Sequence, residues 1–207
     1  MKKKILVTII IAILALTLTA CGLIPKDGDT YDELNEMLKA DYQGVNLEVQ
    51  TTMNGVTLVN KFMSTIGANN TIVSYEIQEL ATIDQVCDAD IYVIPDNMIV
   101  KKTGTAVIKN GVIVEQNGDA VEIPVTSLEN LTIQFKDSFF NMAQGTYEAG
   151  AYVFKADVTN IKGFTGNDNF DGTNMSVMVR YNEKISSIVI DYTSANGATV
   201  KVIYTFR

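Results

Sequence analysis

No histidine occurs among the 207 residues. That absence removes the commonest general base and the commonest transition-metal ligand, so His-dependent zinc catalysis and Ser–His–Asp chemistry are excluded. Cysteine is limited to Cys21 and Cys87, and charged residues make up only 19% of the chain. The sequence also lacks a G-x-S-x-G elbow, a phosphate-cradling glycine loop and a dinucleotide fingerprint, so it offers no catalytic residue by motif. No internal repeat of fixed period, low-complexity segment or second domain boundary interrupts it. The longest apolar run, Ile5 to Ala20, falls short of the roughly 20 residues that a transmembrane helix needs.

That run follows Lys2-Lys3-Lys4 and ends in Leu18-Thr19-Ala20-Cys21. A basic start, a short apolar segment and small residues at its end predict a secretory signal peptide over residues 1–20. The cysteine placed directly after Leu-Thr-Ala resembles the lipobox of bacterial lipoproteins. The resemblance implies that Cys21 receives a diacylglyceryl group, with acyl chains such as palmitate, after which the peptide is cut before it. Buried methylenes contribute about 0.8 kcal/mol each, so two acyl chains suffice for stable anchoring. The expected location is therefore the extracytoplasmic side of a cell membrane. A lipidated Cys21 also leaves Cys87 as the one free thiol, in an acidic stretch that disfavours a reactive thiolate.

Processing leaves 187 residues, enough for one domain, and removes three lysines, which takes the net charge from −8 to −11. Such acidity repels phosphate backbones, so nucleic acid is not an expected partner. Residues 21–29 read as a tether, with Gly22, Pro25 and Gly28 against regular structure. A single domain is expected over 30–207. It opens with a helix from a Thr30/Glu33 capping box to near Asp41, with Tyr31, Leu34, Met37 and Leu38 on one face.

From Val45 onward the apolar period becomes two. Val45, Leu47 and Val49 alternate with Asn46, Glu48 and Gln50, as in a strand with one wet face. Further strands are predicted at Val56–Met63, Thr71–Glu79, Asp90–Ile94, Met98–Lys109, Val112–Glu115, Val121–Val125 and Leu131–Phe135. The series continues at Tyr152–Val158, Met175–Tyr181, Ile185–Thr193 and Ala198–Phe206. Asn54-Gly55, Asn110-Gly111, Asn117-Gly118 and Asn196-Gly197 are read as hairpin turns, where Asn-Gly tolerates positive φ. A helical piece is expected at Asp137–Ala143 and a turn near Asn160–Phe164. The fold class is mainly β: an antiparallel meander forming a curved sheet or open half-barrel with one N-terminal helix.

The segments Leu38–Tyr42, Asn54–Leu58, Thr71–Ile77, Asn110–Val114 and Tyr192–Val200 resemble a set of small lipoproteins from Gram-positive bacteria. The expected architecture is also similar to that of LolA-type carriers, in which a curved antiparallel sheet and a helix hold acyl chains.

Two stretches carry residues with the chemistry of a site. Asn167-Asp168-Asn169-Phe170-Asp171-Gly172 alternates oxygen ligands before a glycine, as a calcium loop does, but Asn167 is neutral and Met178 stands where a bidentate Glu belongs. An inter-strand loop is therefore expected, with no metal and no cofactor. The other candidate is a groove formed by the C-terminal aromatics, with Phe154, Tyr192 and Tyr204 facing a concave sheet surface. The expected function is non-enzymatic binding of a lipid or another apolar or amphipathic molecule by a membrane-anchored lipoprotein. The alternative is a structural or protein-interaction lipoprotein with a filled sheet.

Overall fold

In the computed structural model, which describes residues 28–81, 98–129 and 131–207, the two-residue period becomes a two-faced sheet. Leu18, Thr19, Ala20 and Cys21 lie outside the described residues, as do Cys87 and the strand expected at Asp90–Ile94. Helix α1 (Gly28–Leu38) is followed by β1 (Val45–Met53), β2 (Val56–Ile66), β3 (Thr71–Leu80), β4 (Ile99–Lys109) and β5 (Val112–Gly118). A short helix α2 (Val125–Glu129) and one 3-10 turn (Asp137–Phe139) lead into β6 (Phe140–Glu148) and β7 (Ala151–Val158). Helix α3 (Ile161–Thr165) precedes β8 (Thr173–Tyr181), β9 (Ile185–Thr193) and β10 (Thr199–Phe206).

The ten strands among the described residues belong to one antiparallel sheet of order β5-β4-β3-β2-β1-β10-β9-β8-β7-β6. The sheet stays open and uncurled, with β5 and β6 as its edges, and carries one N-terminal helix. Each strand pairs with its sequence neighbour except at the centre, where β1 meets β10 with Val45 opposite Phe206 and Leu47 opposite Tyr204. The register aligns Leu47, Tyr204, Ile188 and Val179 in one row of side chains across four strands. That row belongs to the inner, apolar face. The other face is wet and carries exposed ion pairs such as Lys101–Glu76 and Lys201–Asp191, each contributing under about 1 kcal/mol.

Helix α1 turns Tyr31, Leu34 and Met37 into the core, and Leu34 is wholly buried. Each such side chain contributes roughly 1.5–3 kcal/mol. The helix begins at Gly28, so Thr30 lies within its first turn and not ahead of it. It stops three residues before Asp41, with the Lys39 and Ala40 amides donating to Glu36 and Met37 carbonyls.

The stretches expected as strands at Val121–Val125 and Leu131–Phe135 are not strands. With α2 they form an irregular segment across the inner face, where Ile123, Leu128, Ile133 and Phe135 are buried. Their alternation is real, but their backbone groups pair elsewhere. The Asn35 amide of α1 donates to the Phe135 carbonyl (2.7 Å) and accepts from its N–H (2.8 Å), while the Gln134 N–H donates to the Phe164 carbonyl. Asp137–Ala143 is likewise not a helix: one 3-10 turn ends at Phe139 and β6 starts at once. The expected turn near Asn160–Phe164 is the one-turn α3, capped by the Asn160 side chain accepting from the Gly163 N–H.

Asn54-Gly55 (φ 51° and 79°) and Asn110-Gly111 (φ 51° and 74°) are both-positive hairpin turns. Asn196-Gly197 differs: Gly197 alone is left-handed (φ 82°), after a turn closed by its N–H on the Ser194 carbonyl. Asn117-Gly118 makes no hairpin. Gly118 sits opposite Gly104, itself opposite Tyr75, and the Tyr75 phenol reaches over both to the Asp119 carbonyl. The turn that joins β6 to β7 is Ala149-Gly150 (φ 51° and 81°), without the asparagine that would have announced it.

Candidate functional site

The inner face is covered unevenly, and the uncovered part is a cleft of about 710 Å³. Its floor comes from the central strands: Leu47 and Val49 of β1, Val202 and Tyr204 of β10 and Ile190 of β9, with Tyr192 of β9 at the mouth beside Phe170. These lie together because β1, β10 and β9 are hydrogen-bonded neighbours whose register aligns Val49, Val202 and Ile190. The facing walls are the 124–133 segment and the loop 165–170. A cleft of this size, apolar at its base and polar at its rim, has the form of a small-molecule site.

The rim is built by local hydrogen bonds. Gly166 ends α3 in the left-handed conformation (φ 65°), turning the chain back over the sheet. The Thr132 hydroxyl donates to the Thr165 carbonyl (2.6 Å), pinning this loop to the covering segment. The Asn167 carboxamide oxygen accepts from the Asn169 N–H (3.0 Å), an Asx turn. The loop read for calcium is thus the cleft's rim, and one of its oxygens is already engaged.

Of the residues predicted to form a groove, Tyr192 and Tyr204 line the cleft and Phe154 does not. Phe154 is 4% exposed and packs edge-on against Tyr31, Phe135 and Phe140 at centroid distances of 5.8, 6.1 and 5.6 Å. It shares the inner face with the two tyrosines, but β7 lies beyond β8 and beneath α1, where the aromatics fill the space. Its strand parity was readable; its depth under the helix depends on the long-range docking of α1.

The tyrosine phenols at the cleft carry the mark of burial. Burial pushes the Tyr204 phenol up, against a lowering hydrogen bond from Ser127 of α2, with Tyr192 adding a smaller upward push. Tyr192 is also raised, by burial first and by the Asp171 carboxylate second. Both therefore stay protonated near neutral pH.

Residues that sequence reading missed are Leu47, Val49, Ile190 and Val202 on the floor, and Phe170 at the mouth. The floor residues looked like ordinary core; only the β1–β10 pairing brings them into one patch. Phe170 sat inside the acidic loop, and its ring, 5.0 Å from that of Tyr192, joins the loop to the sheet.

No family model matches the chain, and no curated protein matches it. Among solved structures the chain is similar to a DUF1329 family protein from Desulfovibrio piger, at 10% identity over 84% of this chain and 89% of that one. The TM-score is 0.24, so this likeness carries no argument about fold or function.

Proposed function

We propose that the chain is a lipid-anchored, extracytoplasmic binding protein that holds an apolar or amphipathic small molecule in the cleft above β9, β10 and β1. The observation that carries this reading is the open 710 Å³ space over an apolar floor of β1, β10 and β9. The LTAC sequence at Leu18–Cys21 supports the anchor, and the missing histidine and catalytic motifs support binding without chemistry.

The test of the cleft is titration of the full chain with an environment-sensitive amphipathic fluorophore. Saturation near one probe per chain is expected, and Val202→Trp, which adds bulk to the floor, should weaken binding at least fivefold without lowering the melting temperature comparably. Absence of saturable binding sinks the reading. Mass spectrometry of natively purified protein then identifies the co-purifying molecule. The anchor is tested separately: Cys21→Ala should release the domain from the membrane fraction or leave an unprocessed precursor, and unchanged retention and processing would refute lipidation there.

A second reading rests on the β5 edge, where Val112 and Val114 are 62% and 54% exposed on a strand whose outer side has no partner among the described residues. Such an edge is a template for strand addition by a partner protein. A chain that binds no amphiphile but is captured through β5 would favour it.

A further inference from the structure

The mouth of the cleft has a composition that discriminates between kinds of ligand. Phe170 and Tyr192 both line it, half-buried, with ring planes at 65° and centroids 5.0 Å apart. Gly172 makes this corner possible, since a Cβ there would come within 2.5 Å of Phe170 and 2.7 Å of Tyr192. An edge-to-face pair uses one ring face internally and leaves other ring faces free, and a free face attracts an alkylammonium. Asp168 lines the same cleft, and the Asp171 carboxylate is close enough to act on the Tyr192 phenol. Among the described residues that wall the cleft, none is Lys or Arg. An anionic head would have to shed water beside carboxylates without a countercharge, which is costly, while a cationic head meets both carboxylates and ring faces.

We infer that the ligand is a cationic amphiphile: an alkylammonium head seated at Phe170 and Tyr192 with Asp168 and Asp171 as countercharges, its apolar tail along Leu47, Val49, Ile190 and Val202. The inference rests on the cleft being a binding site. It explains why an aromatic corner and two carboxylates border a cleft with an apolar floor.

The experiment is calorimetric titration of the full chain in lipid nanodiscs, with empty nanodiscs as blank, using hexyltrimethylammonium, hexyl sulfate and hexyl glucoside. The trimethylammonium should bind once per chain and at least tenfold tighter than the sulfate. Asp168→Asn with Asp171→Asn should erase most of that preference while leaving glucoside affinity within twofold; both carboxylates are exposed, so folding should be kept. Phe170→Leu should weaken the ammonium more than the glucoside. Glu36→Gln with Glu115→Gln, an equal charge change far from the cleft, should keep the preference intact. Equal or tighter sulfate binding, an unaltered preference in the Asp168/Asp171 variant, or equal erosion in the Glu36/Glu115 control would overturn the head-group assignment. Glucoside binding at one per chain without an ammonium advantage defeats the inference alone, whereas failure of all three probes defeats the cleft reading as well.

Discussion

Two regions of the same sheet face have opposite fates. Over β7 and β8, Tyr31, Phe135, Phe140, Phe154 and Phe164 interlock, with Tyr31 stacked on Phe140 at 5.7 Å and Phe135 edge-on to Phe164 at 5.7 Å. Over β9, β10 and β1, side chains of similar size leave a cleft. Residue type does not account for the difference, since both regions are aromatic and aliphatic. What differs is the cover. Tyr31 of helix α1 and Phe140 at the start of β6 pack into the first region, whereas the cleft is faced by the 124–133 segment and the 165–170 loop, tied to each other through Thr132 and Thr165. A sheet face becomes filled core or open cleft according to what crosses it.

The comparison can be broken most forcefully at Phe164, which is wholly buried. Phe164→Ala should lower stability by about 3–5 kcal/mol, as for other large core truncations. Tyr192→Ala, at the open mouth, should cost about 1 kcal/mol or less and abolish probe binding instead. Paired denaturant melts and titrations check this, and equal destabilisation by the two would mean that the cleft closes in solution.

Next in size is Asn35, the clamp between α1 and the covering segment. Asn35→Ala removes two half-buried hydrogen bonds to Phe135 and should cost about 1–3 kcal/mol. Because the clamp sets the height of the segment, probe affinity should change with it. Unchanged affinity in a destabilised Asn35→Ala chain would show that the cleft is positioned by the 165–170 loop alone.

The hairpin that carries Tyr192 and Tyr204 turns at Gly197. No heavy atom lies within 4 Å of the position a Cβ would take, so Gly197→Val probes backbone conformation and little else. A β-branched residue at φ 82° should cost roughly 1 kcal/mol or more. An unaltered melting temperature would mean that the turn adopts another conformation.

The smallest effect separates the regions by pH. Burial first, then Glu33 and Tyr152, push the Tyr181 phenol from 10.0 up to about 12. A folded value above the unfolded one means that the native chain holds this proton longer, so its contribution is intact below about pH 10 and is lost as pH rises towards 12. Tyr181→Phe should flatten that alkaline decline more than Tyr192→Phe does, read as melting temperature between pH 9 and 12.

Much of this was legible in the residues. The alternation from Val45 onward, the Asn54 and Asn110 turns and the apolar face of α1 each report a local rule that the structure obeys. The misreadings share a cause. Leu131–Phe135 alternates like a strand, yet its hydrogen bonds go to Asn35, a hundred residues away in sequence. Ala149 occupies a turn position without turn chemistry, and Phe154 has the correct face but the wrong depth. The cleft was half visible, in Tyr192 and Tyr204, because strand parity is local; its floor was not, because β1 meets β10 only through long-range pairing.

That central pairing also sets an order of events. The strands β1 to β5 and β6 to β10 are two runs of neighbour-to-neighbour pairs, each able to form from contacts close in sequence. The seam between them needs the first strand to find the last, the costliest loop closure in the sheet. An emerging chain can therefore build β1 to β5 and then β6 to β9 from local pairs, while the floor shared by Leu47, Val49, Val202 and Tyr204 does not exist until β10 arrives and pairs with β1. The cleft is the final feature this fold acquires, and a break in β10 would leave β1 to β5 and β6 to β9 as two sheets with nothing between them.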